Sequence, residues 1–362
     1  MRQWALSALL FLVLAGYGKL AFAAEPHFGV YRWPNGTGNV DAFGRWLGRD
    51  DIWGEDFIGS ESWSNVGWPI WWLEEWSKWV HAQPGRKFIF AVPMLPGPLD
   101  LSGPKEGNVA VGVPVSLKLG ANGDYNINFQ QLAENLVAHK LADHTILRPG
   151  WEFNGNWYAW QAAGKEKEFI EYWRQIVKTM RAVPGAEKLQ FCWNPTLGLQ
   201  QFPAELAWPG DEYVDLVGID VYDECWKQNT YPWPANATPA EILARQKQIW
   251  KEEINEGDHG LVFWSKFAKE HHKPLAICEW GLKDREGGHG GKDNPYFVQQ
   301  MHRFINDPAN NVELHCYFDV DAEFSNGHHQ LSPGETGKHQ TAFPNAAAEF
   351  KKLFGRQPTT VK

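Results

Sequence analysis

The chain has 362 residues and a formal net charge of -9, with 43 acidic side chains against 34 Lys and Arg. That balance argues against nucleic acid or an anionic membrane as a partner, because both are held by basic patches, and it suits a neutral or weakly charged ligand. Trp numbers 21 against 10 Tyr, more indole than packing needs, and flat indole faces are what sugar rings stack on.

In chain order, the first segment reads as an address label. Arg2 gives a positive start, Trp4 to Gly16 is apolar, and Ala21-Phe22-Ala23 fits a cleavage site. Residues 1–23 are therefore expected to be a signal peptide. Residues 24–362 should form one secreted or periplasmic domain, monomeric and without membrane insertion, since no run approaches the about 20 apolar residues of a span.

Eight short apolar runs follow: His27 to Trp33, Ile52 to Ile58, Lys87 to Met94, Thr145 to Glu152, Leu189 to Pro195, Val214 to Tyr222, Pro274 to Trp280 and Val312 to Asp319. Each reads as a buried strand. Between them, Phe129, Leu132, Ala133, Leu136 and Val137 keep helical spacing, as do Phe169, Tyr172, Trp173, Ile176, Val177 and Met180. Weaker helical patterns cover Val40 to Leu47, Pro69 to Val80, Pro239 to Asn255, His259 to His271, Pro295 to Ile305 and Asn345 to Phe354. Eight strand–helix alternations predict an α/β fold, a closed (β/α)8 barrel of one domain rather than an open doubly wound sheet. The long connections Pro96 to Asp124, Asp223 to Thr238 and Asp321 to Gln340 each follow a strand, so they should wall a cleft at the C-terminal face of the barrel.

Two acids end apolar strands at that face. In Leu147-Arg148-Pro149-Gly150-Trp151-Glu152, alternation points Arg148, Gly150 and Glu152 together into the upper barrel. In Ile277-Cys278-Glu279-Trp280-Gly281, a Glu stands where a buried charge is costly unless it is used or paired, so the competing reading is an ion pair with an Arg such as Arg148. Facing carboxyls about 5 to 5.5 Å apart would perform double displacement at a glycosidic bond, one as acid and the other as nucleophile.

Other signals are weighed the same way. Tyr222 is taken as functional and Asp220, on the same strand face, as functional or a loop cap; Asn154 should cap a turn. Trp157 or Trp160 should offer a sugar platform, Trp157 being preferred, while Trp193 and Asn194 either contact substrate or pack. The His271-His272 and His328-His329 pairs read as solvated, and Gly287 to Lys292 as a flexible loop. The four Cys are expected to be free, with Cys225 the likeliest exception.

The run Arg148-Pro149, Glu152, Asn154-Gly155, Trp157-Tyr158 and Trp160 resembles the acid/base motif of glycoside hydrolase family 26. Ile277 to Gly281 is similar to that family's nucleophile strand, Val214 to Tyr222 to its sixth strand and Phe191 to Pro195 to its fifth. The resemblance implies a (β/α)8 barrel and retaining chemistry without a metal or cofactor. It carries over Glu152 as acid/base, Glu279 as nucleophile and Tyr222 as a hydrogen-bond partner of the nucleophile. Its members cleave β-mannans, β-1,3-xylans or mixed-linkage β-glucans. Two positions depart from the pattern: Trp151 stands where a His is usual, and Cys316 to Asp319 lacks the Trp often used as a platform. The expected substrate-side residues are Arg148, Trp151, Trp157, Trp193, Asn194, Tyr222 and Trp280. The expected function is endo-acting hydrolysis of a β-glycan. The alternatives are a hydrolase or transglycosylase acting on a bacterial exopolysaccharide, and a non-catalytic sugar-binding barrel.

Overall fold

The computed structural model of the protein describes residues 25–34, 36–68, 70–97, 109–110, 113–322, 327–333 and 342–356, so the expected signal peptide lies outside the described residues. The eight apolar runs form eight strands: β1 (His27–Tyr31), β2 (Trp53–Phe57), β3 (Phe88–Val92), β4 (Thr145–Pro149), β5 (Gln190–Trp193), β6 (Leu216–Tyr222), β7 (Leu275–Gly281) and β8 (Val312–Phe318). They pair in chain order, and β8 returns to lie parallel to β1, which closes the barrel. Closure buries both faces of every strand, which is why β3 and β7 are buried throughout and read as continuous apolar runs.

The helices are α1 (Thr37–Leu47), α2 (Trp63–Gly67), α3 (Leu73–His81), α4 (Leu117–Ala121), α5 (Asn126–Ala138), α6 (Glu166–Arg181), α7 (Pro239–Ile249), α8 (Leu261–Glu270), α9 (Pro295–Asn306) and α10 (Pro344–Phe354). The pattern expected to be helical from Pro69 to Val80 forms α3 only from Leu73 on, and α2 ends at Gly67, before that stretch begins. Likewise α7 ends at Ile249 and continues as a π-helical turn over Trp250–Asn255. Its start is set by a capping box, Thr238 with Glu241, and by Pro239 in the first turn.

Alternation along the strands stacks layers inside the barrel. Trp53, Ile89, Ile146, Cys192, Leu216, Ala276, Cys278, Leu314 and Cys316 form one buried apolar cluster. Two residues further on, Glu55 in β2, Arg148 in β4 and Asn194 just past the end of β5 are also buried, so a polar layer rests directly on the apolar one. Gly218 makes room for it: a Cβ there would lie 2.7 Å from Cys192 Sγ and 2.8 Å from Asn194 Cβ.

Near its C-terminal end β7 breaks the alternation. Along β6, Ile219 pairs with Ile277 but the next residue, Asp220, pairs with Glu279. On the other side, β8 steps from His315 opposite Ile277 to Tyr317 opposite Trp280. Both neighbours show an extra residue in β7, a bulge that lets Cys278 join the apolar layer while Glu279 reaches the mouth. All four cysteines are free, Cys225 included.

Candidate active site

Glu152 reaches the cleft from a turn and not from a strand. The strand ends at Pro149, which has no N–H to continue the ladder, and Gly150 and Glu152 follow with φ of 58° and 53°. Any side chain at 150 would collide with Met94, whose Sδ would stand 2.4 Å from a Cβ. The turn is tied to its neighbours: Gly150 N–H donates to Val92 O at 2.8 Å and Glu152 N–H to Asn194 O at 2.7 Å. Holding a glutamate in the left-handed region costs on the order of 1 kcal/mol or more, a strain that surrounding bonds must maintain.

The two candidate carboxyls have different partners. Glu279 accepts from Arg148 Nη2 at 2.8 Å through one oxygen and from the Tyr222 hydroxyl at 2.6 Å through the other. Glu152 accepts from Trp157 Nε1 at 2.7 Å. One oxygen from each of Glu152, Asp220 and Glu279 lies within 4.8 Å of the others, so the two Glu carboxyls face each other at close range, as double displacement requires. Burial, then the charge of Glu279, pushes Glu152 up to about 8, against the opposing pull of the Trp157 hydrogen bond. At neutral pH that carboxyl keeps a proton to give.

Aromatic side chains from five strand ends surround these acids. Tyr31 lies 4.7 Å from Phe57 and 5.0 Å from Phe318, Phe57 lies 5.4 Å from Trp151, and Tyr222 lies 5.9 Å from Phe318, ring centre to ring centre. Such a wall excludes water and favours the neutral form of Glu152. Glu152, Asp220 and Glu279 are, among the described residues, the one grouping with oxygens close enough to hold a cation. Trp157, Arg148 and Tyr222 already donate to those oxygens, so a cation would have to displace them.

Several expected substrate contacts prove to be something else. Arg148 is 0% exposed and lies beneath the carboxylates, where Nε donates to Asn194 Oδ1 at 2.6 Å, Nη1 to Glu55, and Nη2 to Asp220 and Glu279. The ion pair of Glu279 with Arg148 is therefore real and is part of the site. Asn194 is fully buried as that partner of Arg148. Trp193 and Trp280, both 0% exposed, point outward to the helices. Trp193 packs among Phe153, Trp208 and Trp264, and Trp280 against Phe350 and Phe354 of α10. Trp151 is buried against Tyr158, Trp160 and Phe57, with Nε1 donating to the Tyr158 hydroxyl at 3.0 Å, so it forms wall and not platform.

Asn154 does not cap its turn. It ties the β4 turn to the segment after β5, donating to Thr196 O and accepting from Thr196 N–H, both at 2.9 Å. His329 is buried and not solvated, and it packs 4.9 Å from the Tyr222 ring. The glycine-rich loop is pinned, with Gly291 N–H on Asp223 O and Cys225 N–H on His289 O.

Two residues at the site escape the sequence reading. Glu55 is buried against Arg148. Lys283 holds its ammonium 5.0 Å from the centre of the Tyr222 ring and 3.0 Å from Glu224, and its charge draws Glu152 down. A charged residue inside the apolar run Ile52 to Ile58 is the signal that could have found Glu55.

Residues 119–244 match the model of glycosyl hydrolase family 26, a stretch that contains Glu152 and ends before Glu279. A mannan endo-1,4-β-mannosidase of Bifidobacterium adolescentis is 26% identical over 217 residues, covering 57% of this chain and 19% of that protein. A β-1,3-xylanase of a Vibrio species is 25% identical over 161 residues, covering 44% of this chain and 27% of the xylanase. The chain thus spans about a fifth to a quarter of the length of these curated relatives. Among solved structures, a double mutant of the Cellulomonas fimi endo-β-1,4-mannanase superposes with a TM-score of 0.58 at 18% identity, over 91% of this chain and 70% of that one. That likeness supports the barrel fold.

Proposed function

Because residues 119–244 match the model of glycosyl hydrolase family 26, we propose that the chain is a member of that family and a retaining, endo-acting hydrolase of β-glycosidic bonds in a polysaccharide, with Glu152 as acid/base and Glu279 as nucleophile. The observation that carries this reading is a carboxyl raised to about 8 facing a second carboxylate that accepts hydrogen bonds from Arg148 and Tyr222. In the first step Glu152 protonates the leaving glycosidic oxygen as a Glu279 oxygen attacks the anomeric carbon. The bond to the leaving sugar breaks and a glycosyl ester forms on Glu279. In the second step Glu152, now ionised, takes a proton from water, whose oxygen attacks the same carbon and releases the carboxylate of Glu279. Two inversions leave the anomeric configuration unchanged.

The matched relatives are named for mannan and β-1,3-xylan, so a β-mannan-like glycan or a related one is the proposed substrate. The leader-like segment, residues 1–23, makes export the proposed destination, and a single chain suffices for the site.

The test is a product assay on mannan, β-1,3-xylan, mixed-linkage glucan and bacterial exopolysaccharide, comparing wild type with E152A and E279A. Loss of the acid should slow turnover by about 10²- to 10⁴-fold, loss of the nucleophile should abolish it, and the first-formed reducing end should be the β-anomer. Full activity in E279A, or an α-anomer formed first, would overturn the assignment.

A further inference from the structure

We propose that Glu55 is a positioning residue for the nucleophile, acting through Arg148. This rests on Glu279 being the nucleophile, as above. The guanidinium of Arg148 is a planar fork whose donors are fixed relative to one another. It approaches Glu279 with a single nitrogen, Nη2, which Asp220 shares at 3.0 Å. One contact does not define the tilt of a plane. Its orientation is set from the rear, where Nη1 meets Glu55 and Nε meets Asn194, and from above, where its central carbon lies 5.6 Å from the centre of the Phe57 ring.

Glu55 is in turn fixed by its strand and by a second donor. Its other oxygen accepts from the Cys316 thiol of β8 at 2.8 Å. Gly29 of β1 leaves the thiol its space, since a Cβ there would stand 3.2 Å from Cys316 Sγ. A line of contacts therefore crosses the barrel interior from Cys316 through Glu55 and Arg148 to Glu279. Glu55 is 1% exposed and lies in the layer below the mouth, so its hydrogen-bond connection to the nucleophile runs through the guanidinium. Burial and the nearby charge of Glu279 raise Glu55 to about 7 despite Arg148. A buried acid next to the cation that contacts the nucleophile is consistent with a geometric task. A neutral acceptor of the same shape should perform that task too.

The experiment compares wild type, E55A and E55Q on the best substrate from the product assay, with E279A as the control for the parent reading. Misplacing the nucleophile by a fraction of an ångström should lower kcat of E55A by about 10- to 100-fold with KM within about 3-fold, because the cleft surface is untouched. E55Q, whose amide oxygen can still accept from Nη1, should recover kcat to within about 3-fold of wild type. A folded E55A with wild-type kcat overturns the proposal, as does an E55Q as slow as E55A, which would show that charge and not acceptor geometry matters. If E55A does not fold, E55D replaces it. It keeps the charge but withdraws the acceptor by one methylene, and it should show the same fall in kcat with KM held; wild-type kcat in E55D overturns the proposal. Wild type inactive on every glycan, or an active E279A, would mark failure of the parent reading instead.

Discussion

What separates the two carboxyls is the hydrogen bonds each one accepts. Glu279 is met by a guanidinium and a phenol, Glu152 by a single indole N–H. The indole bond draws Glu152 downward from the level that burial and Glu279 impose. W157F should therefore raise it further above about 8. Since the proposed reaction needs this proton on the enzyme, the alkaline limb of the kcat/KM–pH profile should move to higher pH, and a limb moving down or staying put would contradict the contact. Removing the Tyr222 hydroxyl takes a hydrogen bond from an ionised group, worth about 1.5–3 kcal/mol, so Y222F should lower kcat by about 10- to 100-fold in steady-state assays. Glu152, Glu279, Tyr222 and Trp157 were legible because they fall within motifs. Glu55 was not, since its one signal, a charge inside an apolar run, is shared with Asp56 beside it. Only the folded register shows that it lies two residues above Trp53 and faces Arg148.

At the scale of elements, the strands were readable and their ends were not. Eight apolar runs became eight barrel strands because burial on both faces demands continuous apolar sequence. The expected alternation through Arg148, Gly150 and Glu152 stops at Pro149, and the carboxyl is delivered by a left-handed turn instead. In β7 a bulge resets alternation between Cys278 and Glu279. Trp193 and Trp280, beside functional positions in sequence, consequently face helices, an outcome that strand-end proximity alone could not decide. The turn gives the sharper prediction. G150A would place a methyl against Met94 at a positive φ, costing about 1–3 kcal/mol in urea unfolding, and would displace Glu152. N154A would cut both bonds to Thr196 and should lower kcat with a smaller loss of stability. A G150A protein with wild-type stability and kcat would show that the turn has slack which the structure does not provide.

For the whole molecule, the site is a stability cost maintained by the barrel, and its sign can be tested. Glu152 sits at about 8 and Glu55 at about 7 in the folded chain, both above the ordinary glutamate value of 4.5. Between about 4.5 and 8 the unfolded chain has released these protons while the folded chain retains them, so the folded state binds more protons and stability falls as pH rises through that window. The stabilising contribution is fully present below 4.5 and lost above the folded values. A neutral amide at 152 carries no charge to bury at any pH. E152Q should accordingly match wild type in melting temperature near pH 4.5 and exceed it increasingly toward pH 8, by about 2–4 °C for each kcal/mol of burial cost removed. The same substitution should abolish proton donation, so the more thermostable protein is the less active one. Differential scanning calorimetry of both proteins from pH 4.5 to 8 decides the matter: a melting-temperature difference that shrinks with rising pH would mean that Glu152 is ionised at neutral pH and cannot serve as the acid.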